Sequence, residues 1–530
     1  MSASHLIACF LSAAGLAAAA AGDLPRPEGR VSCGPAAEVR SVGASASFVT
    51  IGWLCPPVES TSVGRMSEMS GAGLDLATAS QDDPGRLEDN LRRLDLARAA
   101  GMRCIIRDDR MPWSEALATP EGQALLDTIV SRYRGHPGLF GYSLGDEPVE
   151  KDFANLKKVH EAFRARDPEH PAWNNLLGRA AFPSRAAWER YVRGYLESTG
   201  AAVLCDDQYD FRRDGDAGLF VENAAGLAAI ARERGIPFWA VVLLVTHGNY
   251  RVLTPGELEW QASMLLAYGA RGIGYFTYWT PAPDPVWNFQ PAVIDREGRP
   301  TRWYGVLARL NRRVRAAGEA LAELTWLGTV HAGSVPAGGT RFVPDDWVRA
   351  VSGRAALGHF VARDGTPFIL VANSDSASSR TIALTLGRFR RACVLDSASG
   401  GWSDAPCSTL PGDSRLRLGL GAGGFALLRL EPPIPGGIAG GSAPDLTVAS
   451  TSAPSGAELS VSRLGQRGYI EILDAAGQRV WERKLEPGAA SLTWRGEKDS
   501  GGPVPSGLYF VHLEDEAGFR VSRLAWPGGP

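Results

Sequence analysis

The chain has 530 residues, 45% of them hydrophobic and 21% charged, which excludes both a disordered polymer and a single ordinary domain. Lys+Arg 55 against Asp+Glu 58 gives a net charge of −3 with the signs mixed along the chain, so no basic stripe could track a phosphate backbone, and nucleic acid is excluded as a partner. The seven cysteines form no C-x-x-C pair and no Cys/His cluster, so neither a metal site nor a cofactor is expected.

Leu6 to Ala21 is apolar, rich in small residues and followed by Gly22-Asp23. It reads as a secretory signal over residues 1–21, although Met1 to His5 carries no Lys or Arg. Export from a bacterial cell, to the medium, the cell surface or the periplasm, is therefore expected. Residues 22–46 form an N-terminal segment without a clear pattern. No other apolar run approaches the ~20 residues of a membrane span, so no transmembrane segment is expected.

From residue 47 to 325 short apolar runs alternate eight times with amphipathic stretches. The predicted strands are Phe48–Trp53, Gly73–Ala79, Arg103–Arg107, Leu139–Leu144, Ala172–Leu176, Ala202–Asp206, Phe238–Val245 and Gly272–Tyr278. Between them apolar residues recur at three and four spacing, as in Leu87, Leu91 and Leu94. Asp83-Pro84 and Thr254-Pro255 open helices, while Gly101 and Gly235 close them. Such alternation implies parallel strands with crossover helices, and eight units of this length predict an α/β fold, a (β/α)₈ TIM barrel.

After the barrel the helical period disappears. Strands predicted over Phe360–Arg363, Phe368–Asn373, Arg380–Leu386, Ala392–Asp396, Ser414–Leu420 and Gly424–Leu430 make a β-sandwich of residues 326–432. Cys393 and Cys407 flank a hairpin turn there, which suits a local disulfide. The Pro/Gly-rich stretch 433–445 is a linker, and 446–530 reads as a second, Ig-like sandwich with strands at Gly468–Leu473, Arg479–Leu485, Ala490–Trp494, Gly507–Glu514 and Arg520–Ala525.

In such a barrel the chemistry sits where the strands end. Those ends carry Trp53, Asp108, Asp146-Glu147, Asn174-Asn175, Asp206-Asp207, Tyr209, His247, Tyr278 and Trp279. Carboxylates, aromatics and amides converging on one rim suit a carbohydrate, because glycosidic cleavage needs two carboxyl groups and aromatic faces stack on sugar C–H surfaces. Asp146 also fits a helix cap before Pro148, whereas Glu147 stands where a barrel aims functional groups. Asp207 is the second carboxylate of choice, followed by Asp206 and Asp108. Asp207 ends strand six, two strands along from Glu147, which leans toward the wider gap of an inverting mechanism. Trp53, Asp108, Asp146, Asn174, Tyr209, His247, Tyr278 and Trp279 are the candidate substrate contacts. Glu257 and Glu259 follow Thr254-Pro255 and belong to a helix surface.

The stretch Tyr142-Ser143-Leu144-Gly145-Asp146-Glu147-Pro148, with His136-Pro137 and Gly272-Ile273-Gly274-Tyr275-Phe276-Thr277-Tyr278-Trp279, resembles an uncharacterised bacterial branch of the (β/α)₈ glycosidases of the β-galactosidase/cellulase clan. That resemblance implies a secreted glycoside hydrolase with Glu147 as acid/base. The chain departs from the clan in having Asp146 where Asn is usual and no Glu at the end of strand seven. The last segment, through Thr493-Trp494-Arg495-Gly496 and Ser506-Gly507-Leu508-Tyr509, resembles the Ig-like module of the flagellar hook-capping protein, which implies association with a cell surface. Against the glycosidase stands a non-catalytic glycan-binding protein or surface scaffold on a degenerate barrel.

Overall fold

A computed structural model describes residues 48–79, 85–111, 115–387, 389, 391–396, 399–405, 407–410, 413–431, 445–450, 457–464, 468–474, 479–515 and 518–526. The expected signal 1–21, the segment 22–46, the Asp83-Pro84 helix start and most of the expected linker lie outside these residues.

Eight parallel strands close into a barrel. They are β1 (Val49–Trp53), β2 (Leu76–Ala77), β3 (Arg103–Ile106), β4 (Leu139–Asp146), β5 (Ala172–Leu177), β6 (Leu204–Asp207), β7 (Phe238–Leu243) and β8 (Gly272–Phe276). Closure comes from β1 lying beside β8, with Val49 opposite Gly272 and Trp53 opposite Phe276. The helices α1 (Val63–Gly71), α2 (Leu87–Ala99), α3 (Pro120–Tyr133), α4 (Phe153–Arg166), α5 (Arg185–Thr199), α6 (Phe220–Arg234), α7 (Pro255–Ala267) and α8 (Arg302–Ala322) alternate with the strands.

Local sequence explains several of these boundaries. Thr254 caps α7 by accepting from the Glu257 backbone N–H, Glu257 answers to the Thr254 N–H, and Pro255 fills the first turn. Gly235 ends α6 in a left-handed conformation that glycine adopts without Cβ penalty. The paired part of β2 is shorter than its apolar run suggests. Asp75, just before it, turns its carboxylate to the Thr50 N–H and hydroxyl at 2.9 and 2.8 Å.

The barrel interior is filled by Val49, Ile51, Leu76, Ile105, Phe140, Trp173, Val203, Cys205, Trp239 and Val241. Large rings make up much of this interior. Trp173 meets Trp239 edge-on at 5.5 Å and Trp53 at 6.0 Å, and Phe140 lies 5.6 Å from Trp239. Gly272 is required beside them, since a Cβ there would stand 2.5 Å from the Trp239 ring.

The chain beyond α8 forms a seven-stranded and a four-stranded sheet over one core, which includes Ile369, Val371, Ile382, Leu384, Leu416 and Leu428. Strands at Thr325–Ala332 and Val348–Ser352 precede those expected from the sequence. This sandwich is bonded to the barrel: the Ser263 hydroxyl donates to the Gly423 carbonyl at 2.6 Å, and Arg313 reaches the Phe425 carbonyl at 2.9 Å and pairs with Glu259. Cys393 and Cys407 sit on different sheets, opposite Asp404 and Leu416 respectively. The Cys407 side chain, and so the expected disulfide, lies outside the described residues.

The C-terminal unit pairs a three-stranded with a four-stranded sheet, and strands at Asp445–Ser450 and Ala457–Leu464 join those expected. Its Trp-x-Gly turn has a packing reason. Trp494 lies 5.0 Å from Trp526 and 5.4 Å from Tyr509, and a Cβ on Gly496 would stand 2.3 Å from the Trp526 ring.

Because Trp173 is fully buried and in contact with two other indoles, Trp173→Ala should destabilise the barrel by about 3–5 kcal/mol. Trp173→Phe should cost distinctly less, since its buried indole N–H has no acceptor to lose. Denaturant titration followed by tryptophan fluorescence checks the order, and equal losses would contradict it.

Candidate active site

Two irregularities in β4 decide which side chains reach the barrel mouth. Ser143 faces Trp173 on β5 and Asp146 faces Asn175, so β4 spends one residue more than its partner and bulges. Gly145 follows with φ 128° and Glu147 with φ 46°, a left-handed conformation that costs a non-glycine residue on the order of 1 kcal/mol. The Glu147 N–H is fixed by the Asn175 carbonyl at 2.8 Å. Strict alternation would send Asp146 and Glu147 to opposite faces. The bulge and the turn instead let both acids act on Asp207.

β5 and β6 alternate regularly. Trp173 fills the interior, while Asn174 turns outward to His160 of α4 at 3.0 Å and the Tyr195 hydroxyl of α5 at 3.2 Å. Asn174, expected as a substrate contact, is thus a buried strut between sheet and helices, and its neighbour Asn175 faces the mouth. Asn175 donates from Nδ2 to Asp207 Oδ1 at 2.8 Å and Asp146 Oδ1 at 3.1 Å, while its Oδ1 accepts from the Cys205 thiol at 3.4 Å. On β6 the parity repeats, with Cys205 inside, Asp206 outside against Asn223 of α6 at 3.0 Å, and Asp207 inside.

Three carboxyl groups therefore share one mouth. Asp146 and Glu147 remain open to solvent and Asp207 is half-buried. Desolvation by the surrounding protein, then the charge of Asp146, push the Glu147 carboxyl up to about 7. Asp207 is raised well above the usual carboxylate range by burial, then by Glu147, Asp146 and Asp206. Asp146 is raised by desolvation, an effect opposed by its bond from Asn175 and by the Arg107 charge. No hydrogen-bond donor among the described residues reaches the Glu147 carboxyl. Among the described residues no His, Cys, Asp or Glu group is arranged to hold a metal ion.

Aromatic rings form the opposite half of the mouth. Tyr209 stacks on Phe276 at 5.9 Å and meets Tyr250 edge-on at 5.4 Å. His247 is enclosed by Tyr250 at 4.9 Å, Phe289 at 5.2 Å, Phe276 at 5.3 Å and Trp287 at 5.7 Å. Burial lowers its pKa to about 4, so at neutral pH the ring is uncharged. Its Nδ1–H donates to the Val245 carbonyl at 2.9 Å, which keeps Nε2 as an acceptor.

Other expected contacts stand elsewhere. Asp108 is buried behind the sheet, where it accepts from the Tyr133 hydroxyl of α3 at 2.7 Å and pairs with Arg110 at 2.5 Å. Tyr278 is buried among Glu68 and Arg65 of α1 and Tyr304 of α8, and Trp279 packs under the Arg65 guanidinium at 5.4 Å. Phe276 holds the place at the end of β8 assigned to them from sequence. Trp53 packs on the ring layer below the mouth. Glu257 and Glu259 belong to a helix cap and to the ion pair with Arg313. Sequence reasoning placed Asn175 and Phe276 at strand ends without choosing them as candidates, and missed Tyr250, Trp287 and Phe289. The last two were marked only by aromatics in a Pro-rich loop, Pro281-Ala282-Pro283-Asp284-Pro285.

The fold and the carboxyl cluster define a (β/α)₈-barrel protein with an acidic, aromatic-walled mouth. No protein-family model and no curated protein matches the chain. Its fold is similar to that of a β-galactosidase from the psychrophilic Marinomonas ef1, at 11% identity and TM-score 0.40, over 53% of this chain and 63% of that one. It is also similar to a β-galactosidase from Bacillus circulans sp. alkalophilus, at 10% identity and TM-score 0.47, over 72% and 99% of the two chains. A Thermobacillus composti GH10 xylanase aligns at 15% identity and TM-score 0.35, over 50% and 97%. The chain spans less than two thirds of the Marinomonas enzyme. At such identities the chemistry rests on this chain's own residues.

Asp206 offers a test of the electrostatics behind the mouth. Its buried carboxyl is pushed up to about 8 by burial, against an unfolded value of 3.8. The native state then holds a proton that the unfolded chain has lost, and stability falls as pH rises from about 4 through about 8. Asp206→Asn removes that titration. Its stability relative to the unmodified protein should climb across this window and level off above it; urea midpoints that run parallel from pH 4 to 9 would refute the assignment.

Proposed function

We propose that the protein is a glycoside hydrolase in which Glu147 protonates the leaving glycosidic oxygen and Asp207 serves as the second carboxylate. The observation that carries this reading is the meeting of Glu147 and Asp207 in one mouth, where the Glu147 charge raises the proton affinity of Asp207. A carboxyl poised at about 7 is still protonated near neutrality and strong enough to donate. Asp207, held by the Asn175 amide, supplies the base or nucleophile. Tyr209, Tyr250, Phe276 and Trp287 offer ring faces to sugar C–H surfaces, and the His247 Nε2 offers an acceptor to a hydroxyl.

The fully buried, apolar end of β7, from Val241 to Val245, favours a second reading as a glycan-binding protein without turnover. The two acids oppose it, since a binder gains nothing from crowding carboxyls that repel. Export is proposed from the apolar run Leu6 to Ala21, and cell-surface association from the C-terminal sandwich.

Hydrolysis of a glycoside panel tests the proposal. Glu147→Gln should lower kcat/KM on unactivated disaccharides by about 10²–10⁴-fold and far less on dinitrophenyl glycosides, whose leaving group needs no proton. In the unmodified enzyme kcat/KM should fall on the alkaline side with a midpoint near 7, as Glu147 loses its proton. Unchanged turnover by Glu147→Gln on both substrate types would remove Glu147 from the mechanism, and saturable binding with no sugar release would establish the second reading.

The field of the mouth also selects substrates. Arg107 is the cation that acts on Asp146, and it is already paired with Asp109 at 2.8 Å. A uronate would bring a further negative charge into a site that already holds three carboxyl groups. Neutral hexosides should be cleaved at least about tenfold faster than the matching uronides, which is roughly the cost of one unpaired like charge at a partly solvated site. Equal rates at low ionic strength would show that the acids do not set specificity.

A further inference from the structure

We propose that Asn175 is a positioning residue of the reaction: its amide binds Asp146 and Asp207 as paired acceptors, fixes the two carboxyl groups against each other and favours the ionised form of both. The proposal rests on the glycosidase reading above and deepens it. Its footing is geometric. One Nδ2 carries two hydrogens, and here each goes to a different carboxylate, at 2.8 and 3.1 Å. The other end of the amide is committed as well, because Oδ1 accepts from the Cys205 thiol at 3.4 Å. Burial pushes that thiol well up, so it stays an S–H donor, and the amide cannot turn its oxygen toward the acids without losing this bond and facing two carboxylates.

The consequence follows from competition. Three neighbouring carboxyls resist ionising together, and burial raises Asp207 well above the usual carboxylate range, so a donor to its charged form has the most to offset there. Asp207 and Asp146 each receive a hydrogen bond from Asn175, and Arg107 adds its charge to Asp146. Glu147 receives no such donor among the described residues. The charged and titratable groups around the amide are Asp146 and Glu147 from β4, Asp207 and Cys205 from β6, and Arg107 beyond β3. Tyr209 and Tyr250 close the far side, and Asp206 and Tyr191 act from behind the sheet. None of these besides Asn175 donates to two of the acids at once.

Asn175 could pass for a merely structural residue, so the test reads protonation rather than activity alone. Carboxyl ¹³C resonances of Asp- and Glu-labelled full-length protein are titrated for the unmodified chain, Asn175→Ala and Asn175→Leu. The leucine variant fills the volume that alanine empties, and so guards against collapse of the alanine protein. In a folded variant the Asp207 and Asp146 titrations should rise by about one pH unit as their shared donor is lost. On a substrate that the unmodified enzyme hydrolyses, the acid limb of the rate profile should rise with them. There kcat should drop roughly tenfold or more, with KM within about threefold. Carboxyl titrations unchanged in either folded variant would overturn the proposal, as would a loss of kcat with no movement of the acid limb. If the titrations move while the unmodified protein cleaves no glycoside, Asn175 still holds the acids but the glycosidase reading has failed.

Discussion

Repulsion between carboxyl groups crowded at the ends of β4 and β6 is the constraint around which the mouth is built. Two unit charges a few ångströms apart at an effective dielectric constant near 20 interact by several kcal/mol, about the whole margin of a folded domain. The chain concentrates three such groups and then divides them by environment. Asn175 and Arg107 support charge on Asp146, Asn175 supports it on Asp207, and Glu147 is left with a raised proton affinity. One residue chemistry thus meets three different surroundings, which set its proton affinity. The strained φ of Glu147 belongs to the same arrangement, because only a turned backbone lets consecutive acids both act in the mouth.

How much of this the sequence disclosed depends on regularity. The barrel was legible because its strands are buried on both faces and read as continuous apolar runs, while the helices between them keep a 3.6-residue period with recognisable caps such as Thr254-Pro255. Glu147 and Asp207 were legible as acids at strand ends. Parity was not. β4 shifts register against β3 between Cys104 and Ile105 and against β5 between Ser143 and Asp146, so counting by twos along it assigns the wrong face. The doublet Asn174-Asn175 carries no cue to which member faces in; only the packing of Trp173 beneath and His160 behind decides. The same ambiguity at the end of β8 gave weight to Tyr278 and Trp279, which serve the packing against α1.

The aromatic half of the mouth was hidden for a different reason. Its rings come from three separate loops, and the segment after β8 that carries Trp287 and Phe289 has no period to read. Backbone bonds give it shape instead: Gly248 N–H to the Trp287 carbonyl at 2.6 Å, Gln290 N–H to Thr246 at 2.9 Å, and the Thr280 hydroxyl to Ile294 at 2.6 Å. These ties fix the loop to β7 and to the end of β8, so the wall is preformed.

That wall and the acids act on one another. Packing Phe276, Phe289 and Trp287 around His247 holds the imidazole neutral, so no cation arises beside the carboxyls to relieve their repulsion. Tyr209 carries the contact across, stacked on Phe276 while lying within the fields of Asp207, Asp146 and Glu147. Rings that exclude water lower the local dielectric, which strengthens the repulsion felt by Asp207. The aromatic wall that keeps His247 neutral and the acids at the ends of β4 and β6 are thus joined through Tyr209, which stacks on the one and lies in the field of the other.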